Sequence, residues 1–381
     1  MKLSLPMALL LGLSAGTARA DSDTSPYAGV AVEQLYDSNV NNQHGQDLVT
    51  RVAPRVGILY ETERLRLSAD YRLALHAYLN GTAEDSINHR AALGASWQVT
   101  PRTELHAGSV LLIGDDPVLL DRSGVIIPQG GFTDLMTGAG ASWRSSRRGT
   151  LSADYTLRLS RFDLADAPDP LAYDGDEHRV DAAYAYRLTR RLTGRLIGRG
   201  QLFNSYGTTV SLGEAVGGGA GLEYRLTRLW RLRADGGPVW TPEGIGWFAV
   251  ADVTRTGDRW RVALRGVHDI YGGTSAIEAV WQDSLMLDGT LRLGKHLGLR
   301  GRAGAYRGGP APDDAVNVSG LQGRLAFAWL IWRGAQLEVY AEHRAQDGHG
   351  GVSFGDVQRT VAGVRLTAVA GLDLLSLGET R

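Results

Sequence analysis

The sequence predicts an all-β chain: a single closed antiparallel transmembrane β-barrel of about eighteen strands, with short periplasmic turns and longer extracellular loops. Three observations predict it: strict apolar–polar alternation, short turns interleaved with longer polar connections, and a leader that exports the chain. From Leu151 to Ser160, one face carries Leu151, Ala153, Tyr155, Leu157 and Leu159, and the other Ser152, Asp154, Thr156, Arg158 and Ser160. Leu65, Leu67, Ala69, Tyr71, Leu73 and Leu75 likewise oppose Arg66, Ser68, Asp70, Arg72 and His76. Val180 to Leu188 and Leu192 to Leu202 repeat the pattern. A period of two is that of a strand, whose successive side chains point to opposite faces; a helix would scatter the arginines around its circumference. A loose internal repeat matches Ser68-Ala69-Asp70-Tyr71 with Ser152-Ala153-Asp154-Tyr155.

Residues 1–20 have the form of a secretory signal peptide. Lys2 supplies the positive start, Leu5 to Leu13 the apolar stretch, and Ala18-Arg19-Ala20 a small-x-small cleavage site. The exported part is expected to be 21–381, one outer-membrane barrel. Strands are expected near 27–38, 48–61, 64–78, 86–99, 103–113, 133–145, 148–161, 178–188, 191–203, 213–226, 229–238, 246–255, 259–269, 277–294, 297–306, 318–332, 335–345 and 356–370. Short turns fall at Thr62-Glu63, Thr100-Pro101, Ser146-Arg147, Thr189-Arg190, Thr227-Arg228, Thr256-Gly257, Lys295-His296 and Arg333-Gly334. The alternate connections, near 39–47, 80–85, 114–132, 162–177, 204–212, 239–245, 270–276, 307–317 and 346–355, are longer and rich in Gly, Asp and Pro. An even strand count puts both termini at the short-turn end.

Composition narrows the alternatives. The 381 residues include 50 Gly and no Cys, which excludes disulfide scaffolds and cysteine-ligated metal sites. The formal net charge of −1 lacks the basic excess of a nucleic-acid binder. Mean hydropathy is −0.15, too polar for a helical membrane protein. A soluble sandwich would share the alternation. Against it stand the leader, strands as long as a tilted membrane crossing requires, and aromatics beside the short turns: Tyr60, Trp97, Trp143, Tyr186, Tyr224, Trp230, Trp260, Trp329 and Trp332.

In a barrel the polar face surrounds a lumen. The expected lining includes Arg66, Arg72, Arg158, Arg179, Arg187, Arg195, Arg199, Arg231, Arg233, Arg261, Arg265, Arg300 and Arg302. Fewer acids share that face, among them Asp70, Asp154, Asp181 and Asp235, and the loops hold most of the rest. Two consequences stand side by side: a field favouring anionic solutes, and cross-strand pairing that stiffens the wall. The 114–132 connection is unusually apolar, with Val118, Leu119, Leu120, Val125, Ile126 and Ile127, while 162–177 is acidic but lacks EF-hand spacing. No Gly-x-Ser-x-Gly, His-Glu-x-x-His or Walker motif occurs, so no catalytic residue, metal or cofactor is expected.

The first strand ends in Tyr36-Asp37-Ser38-Asn39-Val40. Such an ending, followed by long alternating strands, resembles the β-barrel porin 2 type of Gram-negative outer-membrane proteins. Asp37-Ser38-Asn39 is also good turn chemistry for closing a strand. Barrels of that type often end in an aromatic residue, whereas this chain ends Leu377-Gly378-Glu379-Thr380-Arg381. The resemblance implies an integral outer-membrane protein in contact with lipid and lipopolysaccharide. It further implies a conduit for a secreted polysaccharide, working with a periplasmic polysaccharide-export protein. The alternatives are a general or anion-selective diffusion porin, and an outer-membrane anchor of an envelope or gliding-motility complex.

Overall fold

The computed structural model describes residues 24–40, 45–114, 131–163, 174–206, 210–242, 244–271, 280–310, 316–350 and 357–371. The leader and most of the 114–132 and 162–177 connections lie outside the described residues. Eighteen strands follow one another: β1 (Thr24–Val40), β2 (Gly45–Glu61), β3 (Leu65–Tyr78), β4 (Ser86–Thr100), β5 (Thr103–Gly114), β6 (Gly131–Trp143), β7 (Gly149–Asp163), β8 (Gly175–Arg187), β9 (Leu192–Tyr206), β10 (Val210–Arg225), β11 (Trp230–Thr241), β12 (Gly244–Thr256), β13 (Trp260–Tyr271), β14 (Val280–Arg292), β15 (Leu297–Pro310), β16 (Val316–Trp332), β17 (Ala335–Gly350) and β18 (Val357–Ala370). Each pairs antiparallel with its sequence neighbours, and β18 pairs with β1 from Ala28↔Ala370 to Asp37↔Val361. The sheet therefore closes and has no edge strand, as hydrocarbon surroundings require of any spanning sheet.

The expected strands lie within a few residues of the observed ones. The main differences are at the long-loop end, where β15 continues to Pro310 and β17 to Gly350. The connection expected near 239–245 contracts to a tight turn between Thr241 and Gly244, with Thr241 Oγ1 donating to the Gly244 carbonyl at 3.2 Å. Backbone pairing continues beyond the apolar band, where both faces are wet and side chains no longer need to alternate.

The opposite end is built by a recurring local device. Thr62 Oγ1 accepts from the Leu65 amide at 3.0 Å, Thr189 from Leu192 at 3.0 Å, Thr227 from Trp230 at 3.2 Å, and Ser146 from Gly149 at 2.8 Å. A hydroxyl at the first turn position thus holds the amide three residues on, which fixes the hairpin register.

Large apolar side chains are exposed on one face throughout, including Val56 and Ile58 on β2, Leu93 on β4, Leu196 on β9, Leu222 on β10, and Leu321 and Leu325 on β16. That face surrounds the barrel. Trp97, Trp143, Trp329 and Trp332 are exposed beside the short turns, and Arg255 lies 5.1 Å from the Trp230 ring and 4.9 Å from the Trp260 ring. Such a girdle suits the headgroup level, where indoles meet both hydrocarbon and water. The internal repeat is also structural: Tyr71 hydroxyl meets His89 Nδ1 and Tyr155 hydroxyl meets His178 Nδ1, each at 2.8 Å, with ring centroids 6.2 Å apart in both. Each histidine is on the strand after its tyrosine, so the outward polar groups are satisfied in pairs.

Tyr36 to Val40 belong to strand β1 rather than to a turn. Asp37 accepts both Nε and Nη2 of Arg359 on β18, Asn39 Nδ2 donates to the Gln358 carbonyl at 2.8 Å, and the Thr360 amide donates to Ser38 Oγ at 2.8 Å. These side chains fasten the first strand to the last, where the barrel closes.

The wall is not evenly curved. Val216-Gly217-Gly218-Gly219-Ala220 on β10 faces Asp235-Gly236-Gly237-Pro238 on β11, and the pairing passes from Gly217↔Val239 to Ala220↔Gly236 with an interruption between. A Cβ on Gly219 would overlap the Gly236 carbonyl oxygen, and one on Gly237 the Gly218 carbonyl oxygen. Only glycine permits this approach. The crease brings inward residues of distant strands together, and Phe203, Ala215, Val239 and Phe248 form a small buried cluster beside it.

Candidate functional site

The face opposite the exposed apolar residues points into the barrel and carries the charges. By strand parity Arg66 and Arg72 of β3, Arg158 of β7, Arg179 and Arg187 of β8, Arg195 and Arg199 of β9, Arg231 and Arg233 of β11, Arg261 and Arg265 of β13, and Arg300 and Arg302 of β15 alternate with the exposed apolar residues. Their surroundings differ. Arg158 reaches Asp134 at 2.7 Å, Arg179 reaches Asp181 at 2.5 Å, Arg233 reaches Asp235 at 2.5 Å and Arg302 reaches Asp288 at 2.7 Å. Arg195 and Arg265 lie farther from their carboxylates, Asp235 and Asp252, at 3.6 and 3.7 Å. Arg187 donates to the Arg147 carbonyl at 2.6 Å. Arg66, Arg72, Arg231, Arg261 and Arg300 form no ion pair among the described residues.

Arg199 is enclosed, with a side chain 7% exposed. It pairs with Asp181 on β8 at 3.8 Å and with Asp269, and its guanidinium lies 4.4 Å from the centre of the Phe248 ring. Asp269 belongs to β13, four strands from β9, and the tie spans the close glycine contact of β10 with β11. Arg199 and Asp269 are therefore a cross-wall tie.

From β17 round to β4 the charges form two rows. In one, the directly opposed residues Glu338, Arg365, Glu33 and Arg51 alternate in sign across β17, β18, β1 and β2. Glu33 accepts from Arg365 at 2.6 Å, lies 3.5 Å from Arg51, and also accepts from the Tyr340 hydroxyl. In the other, Arg55, Arg72 and Arg90 stand directly opposite one another across β2, β3 and β4 with no acid between them. Asp70, two residues from Arg72, takes Arg55 and lies 3.9 Å from Arg90.

Three tyrosines brace this wall in one manner. Tyr27, Tyr306 and Tyr340 each lie over a directly opposed glycine, respectively Gly57, Gly320 and Gly363. Each hydroxyl donates to the strand beyond: Tyr27 to Asp70 at 2.6 Å, Tyr306 to Gln346 at 3.0 Å, and Tyr340 to Glu33. A ring over a glycine spans three strands and keeps the carboxylate beneath it oriented.

The two ends of the barrel differ in charge. The eight short turns contain Arg64, Arg102, Arg144, Arg147, Arg148, Arg190, Arg191, Arg228, Arg259, Lys295 and Arg333, against only Glu63 and Asp258. At the other end Asp47 accepts the amides of Leu48, Asn80 and Thr82, Asp176 binds Asn204 at 2.8 Å, and Asp283 binds His268 at 2.7 Å. No cluster of His, Asp and Glu able to hold a metal ion occurs among the described residues.

Sequence reasoning missed Arg90, Arg324, Arg359 and the bracing tyrosines. The alternation of β4 is diluted by Ala91, Ala92, Gly94 and Ala95, which hides the face of Arg90. Counting register outward from the Thr62 turn gives Arg55 opposite Arg72, but the Arg72–Arg90 pair depends on the longer β3–β4 connection, whose register the sequence does not fix.

No protein-family model matches the chain, and no curated protein matches it. Among solved structures, the ferric enterobactin receptor of Pseudomonas aeruginosa, as a mutant in complex with enterobactin, aligns with 91% of this chain and 81% of its own, at TM-score 0.51 and 8% identity. OpdK of the same organism aligns over 91% of this chain and 99% of its own, at TM-score 0.47 and 13% identity. OpdL aligns over 92% and 99%, at TM-score 0.44 and 15% identity. At these identities the likeness concerns the fold alone, and the fold is that of the outer-membrane β-barrels.

Proposed function

We propose that the protein is a diffusion porin of the outer membrane that favours small anionic solutes. The observation that carries this reading is the charge of the inner wall, where Arg66, Arg72, Arg231, Arg261 and Arg300 form no ion pair among the described residues and the short-turn end adds a ring of basic residues. Barrels of sixteen to eighteen strands are wide enough for an aqueous channel. Fixed cations along a low-dielectric wall raise the local anion concentration. Short turns face the periplasm in barrels of this type, so the basic ring is assigned to the periplasmic mouth. Lipid surrounds the apolar face, with lipopolysaccharide at the long-loop end. The polysaccharide-conduit reading came from the Tyr36 to Val40 resemblance. Those residues fasten β1 to β18, a structural task, and nothing in the geometry favours a polymer or an export partner over a small solute.

Planar-bilayer recording tests the proposal. Purified barrel should give steady conductance, with a reversal potential in a potassium chloride gradient that reports preference for chloride. A cation preference, or an inserted barrel that does not conduct, would overturn it.

A further inference from the structure

We infer that Arg55, Arg72 and Arg90 form a binding site for a small oxyanion, a carboxylate or phosphate, which supplies the partner Arg72 lacks. This deepens the anion-porin reading and rests on it for the route by which the ligand arrives. Like charges directly opposite one another destabilise a sheet, yet three guanidinium-bearing residues occupy consecutive positions of one row on β2, β3 and β4. The guanidiniums of Arg51, Arg365 and Arg90 and the carboxylate of Glu33 all act electrostatically on Arg72. Neither nearby carboxylate bonds it. Glu33 is 2% exposed and already receives Arg365, Arg51 and Tyr340, while Asp70 receives Tyr27 and Arg55 on Oδ2 and keeps its buried Oδ1 3.9 Å from Arg90. Arg72 forms no hydrogen bond or ion pair among the described residues, and its Nε is buried without a partner. A buried donor left in this state is costly. The adjacent row shows what compensation looks like, since Glu338, Arg365, Glu33 and Arg51 alternate in sign. An oxyanion would restore that alternation, its paired oxygens matching the planar fork of a guanidinium.

The test is equilibrium binding of inorganic phosphate to the detergent-solubilised full barrel, by calorimetry and by the rise in unfolding temperature, against chloride at equal ionic strength. We expect saturable stabilisation by phosphate and none of comparable size from chloride. Arg72→Gln should weaken binding by about 30-fold, the worth of one charge-assisted hydrogen bond. Should Arg72→Gln fail to fold, Arg90→Gln provides the second variant and should weaken binding by about 10-fold. Phosphate that stabilises no more than chloride, or that binds the folded variants as tightly as the parent, would overturn the site. A barrel that binds phosphate through Arg72 but does not conduct retains the site and loses the porin. One that selects anions without saturable phosphate binding does the reverse.

Discussion

Arg199 and Arg72 are both inward arginines in the middle of long strands, and their surroundings are opposites. Arg199 lies at the crease between β9 and β13, enclosed by Asp181, Asp269 and the Phe248 ring. Arg72 stands on β3 between two other arginines, Arg55 of β2 and Arg90 of β4, and forms no ion pair among the described residues. One residue type thus serves two ends on one face: it knits the wall where carboxylates are supplied, and it holds a field where they are withheld. Burial of an ion pair gives little net stability, but removal of one partner leaves an uncompensated charge and is expensive. Loss of an arginine that has no partner strands nothing.

That contrast can be broken most severely at its geometric origin. Gly219→Val on β10 would drive a side chain into the Gly236 carbonyl and open the crease. Most of the variant should fail to reach the compact, heat-modifiable form on electrophoresis, and a normal folded fraction would show that the crease is dispensable.

Arg199→Ala should come next, at a cost of about 3–5 kcal/mol in urea unfolding, because Asp269 is left buried and unpaired. Adding Asp269→Asn should recover part of that loss. If the single variant costs under about 1 kcal/mol, within the range of exposed pairs, the cross-wall tie does not hold the wall.

Arg72→Gln should change unfolding free energy by no more than about 1 kcal/mol, and in the stabilising direction, since it relieves repulsion with Arg51, Arg90 and Arg365. Its anion preference should nevertheless fall. A large destabilisation would show that Arg72 is structural like Arg199.

The smallest effect is expected at the turns. Replacing Arg147, Arg148, Arg190 and Arg191 together by Gln should move the reversal potential toward zero, more at low than at high salt, because exposed charges are screened within a Debye length of about 10 Å at 0.1 M. A shift independent of salt would contradict a purely electrostatic role.

The sequence made some parts of this legible and hid others for physical reasons. Strand number and position followed from a period of two, and the short turns from hydroxyl residues whose bonds are local, as at Thr62 and Thr189. The face of Arg66 or Arg300 is also local information, because parity alone decides it. The partner of Arg199 is not local. Parity says that Arg199 points inward, but Asp269 is four strands away and meets it across the Gly217 to Gly221 run and Gly236 and Gly237, a contact that no local pattern announces. Tyr36 to Val40 resembled a family ending and a turn, whereas its partners, Arg359 and Thr360, lie on the last strand and become neighbours only on closure.

The claim beneath all of this is that Arg66 and its row face water inside the barrel while Leu67 and its row face lipid. Because the chain has no native cysteine, one labelling experiment on the barrel in lipid bilayers tests it directly, with Arg66→Cys and Leu67→Cys made separately. A water-soluble, membrane-impermeant thiol reagent should modify Arg66→Cys and alter its conductance, and leave Leu67→Cys unreacted until a lipid-soluble maleimide is supplied. The reverse pattern, or equal reaction of both with the water-soluble reagent, would contradict the assignment of the two faces.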